Sequence, residues 1–155
     1  MVARFIFFGS RMKLYLDNCC FNRPFDDQSP LLVRLETEAK LFIQQQIKDE
    51  KAEIVWSAIL DLEIKRNPYQ SRREASDIFR RLSRTIVDID DVVRRSSFVF
   101  QERGLDLADS LHVACAIKAE CDYFITVDKR ILNKAITEVE VLNPIQFIQY
   151  HENDF

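Results

Sequence analysis

Glycine is almost missing. The 155-residue chain has two, Gly9 and Gly104, where ordinary usage gives roughly ten. That excludes a glycine-rich phosphate cradle of the dinucleotide-binding or P-loop kind, because such loops need bare backbone to close on phosphates. It also excludes an all-β sandwich joined by tight glycine turns. Any phosphate chemistry must then be done by side chains. A zinc framework is missing too. Cys19, Cys20, Cys115 and Cys121 show no C-x-x-C spacing, and His112 and His151 stand far apart. The four cysteines read as free thiols of a reducing compartment, so the expected location is cytoplasmic. No stretch approaches the ~20 apolar residues of a membrane span, and the apolar part of residues 2–8 is too short for a signal peptide.

What is present fits one globular domain. Hydrophobic residues make up 47% and charged residues 30%, with a net charge of −3, enough to bury a core without staples. Patterned sequence begins at Met12. Residues 1–11 are expected to be an N-terminal extension, 12–150 the single domain, and 151–155 a tail.

Short β-rich runs alternate with helical stretches. Strands are predicted at Lys13–Asp17, Glu53–Trp56, Thr85–Asp88, Tyr123–Val127 and Glu138–Leu142. The segment Asn18–Pro30 reads as a loop. A long helix is predicted from Ser29-Pro30, with Ser29 as cap and Pro30 in the first position. Its expected buried face carries Leu32, Leu35, Ala39, Phe42, Ile43 and Ile47. Further helices are predicted at Ser57–Arg66, Ser71–Arg84, Asp90–Arg103 (stopped by Gly104 as C′ residue), Leu107–Glu120 capped by Asp106, a short one capped by Asp128, and Pro144–Tyr150. Strands alternating with helices predict an α/β fold with a parallel sheet covered on both faces.

Four acids stand out against that frame. Ligand chemistry in open α/β sheets collects at the carboxyl ends of the strands. Asp17 and Asp128 fall there. Glu63 shares an inward-facing sector of its helix with Ile59, and Asp109 lies in the first turn of a helix. Carboxylates brought to one cleft repel unless a cation neutralises them, and a hard divalent ion accepts such oxygen ligands. Taken one at a time, the same residues also read as routine helix caps, an Asx-turn and a surface ion pair.

The runs L-Y-L-D17-N, S57-A-I-L-D-L-E63, G104-L-D-L-A-D109-S-L-H-V-A-C-A and F-I-T126-V-D128 resemble the PIN domain (PilT N-terminal) nuclease family. The toxins of VapBC toxin–antitoxin pairs are nearest in size. The resemblance spans about residues 12–147 and is most specific from Gly104 to Asp128. It implies a three-layer α/β/α sandwich around a parallel sheet, and Mg²⁺- or Mn²⁺-dependent hydrolysis of RNA. It assigns Asp17, Glu63, Asp109 and Asp128 as metal ligands, places the Thr126 hydroxyl beside them, and leaves Asp106 as a cap. It also implies an antitoxin partner and a homodimer. One departure stands out: many relatives have Thr or Ser just after the first acid, where this chain has Asn18 and Cys19.

Basic charge is concentrated. Residues 65–84 hold seven basic and two acidic side chains, a local net of +5, which leaves −8 elsewhere. A solvated helix face is the ordinary reading of such a run; phosphate contact is the functional one. Candidate RNA contacts are Asn18, Asn22, Arg23, Arg72, Arg73, Arg80 and Arg81. Trp56 reads as core before it reads as a stacking residue. His112 reads first as a packing histidine and second as a neighbour of the acids. The alternative to a nuclease is a non-catalytic RNA-binding or dimerising module on the same fold. An aspartyl-nucleophile phosphatase is disfavoured, since Asp17-Asn-Cys lacks a second acid two residues on.

Overall fold

Leu14, Tyr15 and Leu16 are wholly buried, as in a strand covered on both faces. They belong to β1 (Met12–Leu16), the middle strand of the sheet. The computed structural model describes residues 11–155, so the expected extension lies, apart from Arg11, outside the described residues. The other strands are β2 (Ala52–Ser57), β3 (Thr85–Val87), β4 (Tyr123–Ile125) and β5 (Glu140–Leu142). They pair in the order β3-β2-β1-β4-β5, every pair parallel.

The helices are α1 (Asn18–Asn22), α2 (Leu31–Lys48), α3 (Ala58–Arg66), α4 (Gln70–Leu82), α5 (Asp91–Glu102), α6 (Leu107–Lys118), α7 (Lys129–Leu132) and α8 (Pro144–His151). Parallel crossovers are right-handed. The chain steps one way across the sheet from β1 to β2 to β3, then returns past β1 to β4. The first two crossovers therefore cover one face and the return crossover covers the other. The packing agrees: α2 lies against α8 and β2, and α5 lies against α6, which rests on β2 and β4. This is the expected α/β architecture with helices on both sides of a parallel sheet. No helix among the described residues is long and apolar enough to cross a membrane.

Caps explain several boundaries. Ser57 accepts from the Leu60 N–H, Asp90 from Val93 and Asp106 from Asp109, each satisfying a free helix-end donor. Gly104 has φ +95°. Its N–H reaches the Gln101 carbonyl at 2.9 Å while Leu105 N–H reaches Phe100 at 3.0 Å. That is a Schellman ending, with Leu105 and Phe100 both buried. It turns the chain directly into α6.

Four expectations need correction. The segment read as a loop, Asn18–Pro30, contains α1 and a 3₁₀ turn at Arg23–Phe25, because Asp17 caps the backbone there. Pro30 occupies the cap position of α2, and the Ser29 hydroxyl is bound to Asp27 instead. The buried face of α2 is also partly different. Ile43 and Ile47 are buried as expected, but Leu32 and Leu35 are 48% exposed, while Glu36, Lys40 and Gln44 are buried. The reason lies under the helix. Arg23 meets Glu36 at 3.2 Å, and Lys40 stands over the Phe21 ring at 5.9 Å, where burial lowers its ammonium to about 8. Sequence periodicity could not see that the α1 segment offers α2 a partly polar floor. β4 and β5 are also shorter than expected.

Candidate functional site

The sheet has a switch point beside β1, since crossovers to its two neighbours run over opposite faces. Open α/β sheets form a crevice there, beyond the strand carboxyl ends. A cleft of about 350 Å³ opens at this place, lined by Asp17, Glu63, Asp109 and Asp128, with Asn18, Cys19, Asn22, Arg23 and Arg130 around them. The structure thus brings all four sequence-selected acids to one cavity.

Asp17 follows β1 and is 4% exposed. Its Oδ1 accepts from Asn18 N–H at 2.7 Å, and its Oδ2 accepts from the Thr126 hydroxyl at 2.7 Å and the Cys19 thiol at 3.3 Å. The Thr126 hydroxyl in turn accepts from Asp128 N–H at 3.0 Å, so one threonine sets both strand-end acids. Cys19 Sγ also lies 3.3 Å from Thr126 Oγ1. A thiol therefore supplies the donor that a hydroxyl would supply after the first acid. A hydrogen bond to Cys20, burial and the Asp17 charge all hold this thiol well above the usual cysteine range, so it stays protonated and able to donate.

Glu63 projects from α3 and meets His112 Nε2 at 2.9 Å. The same nitrogen lies 3.9 Å from Asp17 Oδ1. Burial works against an imidazolium at His112, but the Glu63 hydrogen bond and the charges of Asp17, Glu63 and Asp109 outweigh it and raise its affinity for a proton. Asp109 stands in the first turn of α6. Burial first, then the charges of Asp106, Asp17 and Asp128, push its carboxyl up to about 6. Asp128 moves the other way, lowered chiefly by its hydrogen bonds with Arg130.

Arg130 was not singled out in the sequence. It sits two residues past Asp128, and its guanidinium reaches Asp128 at 2.7 Å, Asp109 at 3.8 Å and Asp106 at 3.7 Å. A basic residue just past a strand-end acid was the available signal. His112 was weighed mainly as packing; the i, i+3 spacing from Asp109 was the sign of its place beside the acids.

The candidate RNA contacts divide. Asn18, Asn22 and Arg23 line the acidic cleft. Asn22 accepts from the Asn67 side chain at 3.1 Å, and Arg23 is paired with Asp26 at 3.0 Å and with Glu36. Arg72 stacks on Tyr69 and Phe25, 4.5 and 5.1 Å from the ring centroids. Arg73, Arg80 and Arg81 line a second cavity of about 600 Å³ with Trp56 and Ile78. There Arg80 is paired with Asp61 at 2.8 Å and Arg81 with Asp77. Trp56 is buried and donates to Asp61 at 2.8 Å.

Among the described residues, no three His, Cys, Asp or Glu side chains stand close enough to cage a metal ion. The four acids line the cleft as an open set. By donor chemistry alone, four carboxylates are ligands of the kind a hard divalent cation takes, and not those that select zinc. Asp109 is raised by burial first, and the neighbouring carboxylates Asp106, Asp17 and Asp128 add to the shift.

No protein-family model matches the chain, and no curated protein matches it in sequence. Solved structures do match in fold. A chain of FitAcB from Neisseria gonorrhoeae superposes with a TM-score of 0.58 at 16% identity, covering 84% of this chain and 97% of that one. A toxin–antitoxin complex from Klebsiella pneumoniae gives 0.59 at 16% identity, covering 84% and 97%. VapBC2 from Rickettsia felis, bound to a DNA fragment of its promoter, gives 0.54 at 16% identity, covering 85% and 98%. At this identity the likeness establishes the fold alone.

Proposed function

We propose that the chain is a Mg²⁺- or Mn²⁺-dependent endoribonuclease and the toxin of a toxin–antitoxin pair. The observation that carries this reading is the convergence of Asp17, Glu63, Asp109 and Asp128 on one cleft at the sheet's switch point. The fold neighbours supply the toxin–antitoxin context. A bound divalent cation would supply positive charge at the scissile phosphate and a water of lowered pKa.

The chain's own residues do the rest. Asp17 is held rigid by Asn18 N–H, Thr126 and Cys19. Asp109, poised near pH 6, is placed to take a proton from an attacking water at its carboxylate. Arg130 is long and exposed enough to leave Asp128 for a phosphate oxygen. Asn18 and Asn22 line the approach and recognise backbone, not bases. The exposed leucines Leu31, Leu32 and Leu35 on α2 offer an apolar surface to an antitoxin. The outer side of α5, with exposed Val92, Phe98 and Val99, offers one to a second copy.

The test is cleavage of single-stranded and structured RNA with Mg²⁺ or Mn²⁺, with chelator, and by Asp17→Asn. Cutting that needs the cation and is lost in the variant is expected. Cutting that survives both treatments overturns the reading. Binding of RNA with no cutting under any condition favours the non-catalytic module.

A further inference from the structure

Three polar side chains lie at zero exposure beneath the cleft: Tyr15 on β1, Ser57 at the end of β2 and His112 on α6. Packing alone would be served by Phe, Ala and Leu, without the penalty of burying a hydroxyl or an imidazole. Instead the three form one connected line. Ser57 Oγ and Tyr15 Oη are 2.6 Å apart, Tyr15 Oη and His112 Nδ1 are 2.6 Å apart, and His112 Nε2 is 2.9 Å from Glu63 Oε2.

The chemistry gives the line a direction. A carboxylate only accepts, so Nε2 must carry the proton that reaches Glu63. In the neutral ring Nδ1 is then an acceptor, which the Tyr15 hydroxyl satisfies. A phenol hydroxyl carries one proton, and here it is the donor to Nδ1. Ser57 donates to Tyr15, and its oxygen accepts the Leu60 N–H that starts α3. The far end of the line is thus anchored in the same helix that carries Glu63. The near end, at 3.9 Å from Asp17 Oδ1, stands between two of the four acids.

We infer that Ser57, Tyr15 and His112 form a buried positioning relay that holds the Glu63 carboxylate turned toward Asp17 for a divalent cation. The inference rests on the metal-site reading above. Side chains that orient a ligand from behind commonly change metal affinity by about 10–100-fold, and here the orienting group is itself oriented. Removing the tyrosine hydroxyl leaves Nδ1 without its buried donor, so the ring loses its hold on that side and the Nε2–H no longer fixes the Glu63 carboxylate in place. His112 and Tyr15 are positioning residues, since both act through Glu63.

The decisive measurement is Mn²⁺ binding to the full chain by calorimetry without RNA, with thermal unfolding run in parallel. Tyr15→Phe keeps the ring that stacks on Phe124 at 5.3 Å, and is expected to stay folded while losing about tenfold in Mn²⁺ affinity. His112→Gln, which retains an N–H toward Glu63, is expected to bind better than His112→Leu. In a Glu63→Gln background, Tyr15→Phe should have no further effect. A folded Tyr15→Phe protein that binds Mn²⁺ like the wild type overturns the relay, as does a His112→Gln protein that binds no better than His112→Leu. So does a Tyr15→Phe effect that persists undiminished without Glu63. If His112→Leu does not fold, the other two variants decide. A wild type that binds Mn²⁺ but cuts no RNA overturns the nuclease and leaves the relay standing. A wild type that binds no Mn²⁺ overturns both.

Discussion

Arg130 Nη2 lies 2.7 Å from Asp128 Oδ2, and the same guanidinium spans toward Asp109 and Asp106. The cleft thus carries its own counter-cation. That cation is exposed over most of its side chain, so it is loosely held and displaceable. A divalent ion entering the cleft competes with it for Asp128. Arg130→Gln, which keeps length and loses charge, should therefore tighten Mn²⁺ binding. An exposed ion pair is worth at most ~1 kcal/mol, so the gain should be up to about fivefold by calorimetry. Weaker Mn²⁺ binding in the variant would show that Arg130 organises the acids and does not compete for them.

Asp109 gives the site a pH signature whose sign is opposite to that of a salt-bridged acid. Its folded value, about 6, lies above the unfolded value of about 3.9. Between those values the folded chain binds the extra proton, so stability falls as pH rises from about 4 to about 6, and the penalty is complete above that. Asp109→Asn removes the penalty. In metal-free buffer the variant should melt above the wild type at pH 7, and the advantage should vanish near pH 4. Mn²⁺ should restore wild-type stability at pH 7 and lose its effect below about pH 6, where the proton competes for the same oxygen. A melting difference independent of pH would remove Asp109 as the origin.

The order of strands and helices was legible because it rests on local signals: alternating apolar runs, Ser57 and Asp106 as caps, and Gly104 as a stop. The convergence of Asp17 and Asp128 was legible for a related reason, because each acid lies within three residues of the end of an apolar strand and parallel sheets gather strand ends. What stayed hidden depends on contacts between distant residues. That Arg130 spans Asp128, Asp109 and Asp106 depends on how α7 and α6 come together. His112 looked like core because its two nitrogens are satisfied by residues 97 and 49 positions away. The misread face of α2 has the same origin. Helical periodicity assumes an apolar neighbour, and the neighbour here brings Arg23 to Glu36.

That last pair separates two roles for Arg23, which lines the cleft and reads from the sequence as an RNA contact. If its chief work is to meet RNA phosphates, Arg23→Ala should weaken RNA binding and leave the fold alone. The geometry says otherwise. Glu36 is 6% exposed, and Arg23 is the only basic partner it has within ion-pair distance among the described residues. Removing one member of a buried pair strands the other charge and costs about 3 kcal/mol or more. Arg23→Ala should therefore lower the denaturation midpoint clearly. Arg23→Ala combined with Glu36→Leu should recover most of the loss, because the stranded carboxylate is gone and an apolar side chain takes its buried place. Denaturant titration of the two variants is the check. An Arg23→Ala chain as stable as the wild type, or a double variant no better than the single, would return Arg23 to the RNA-facing surface.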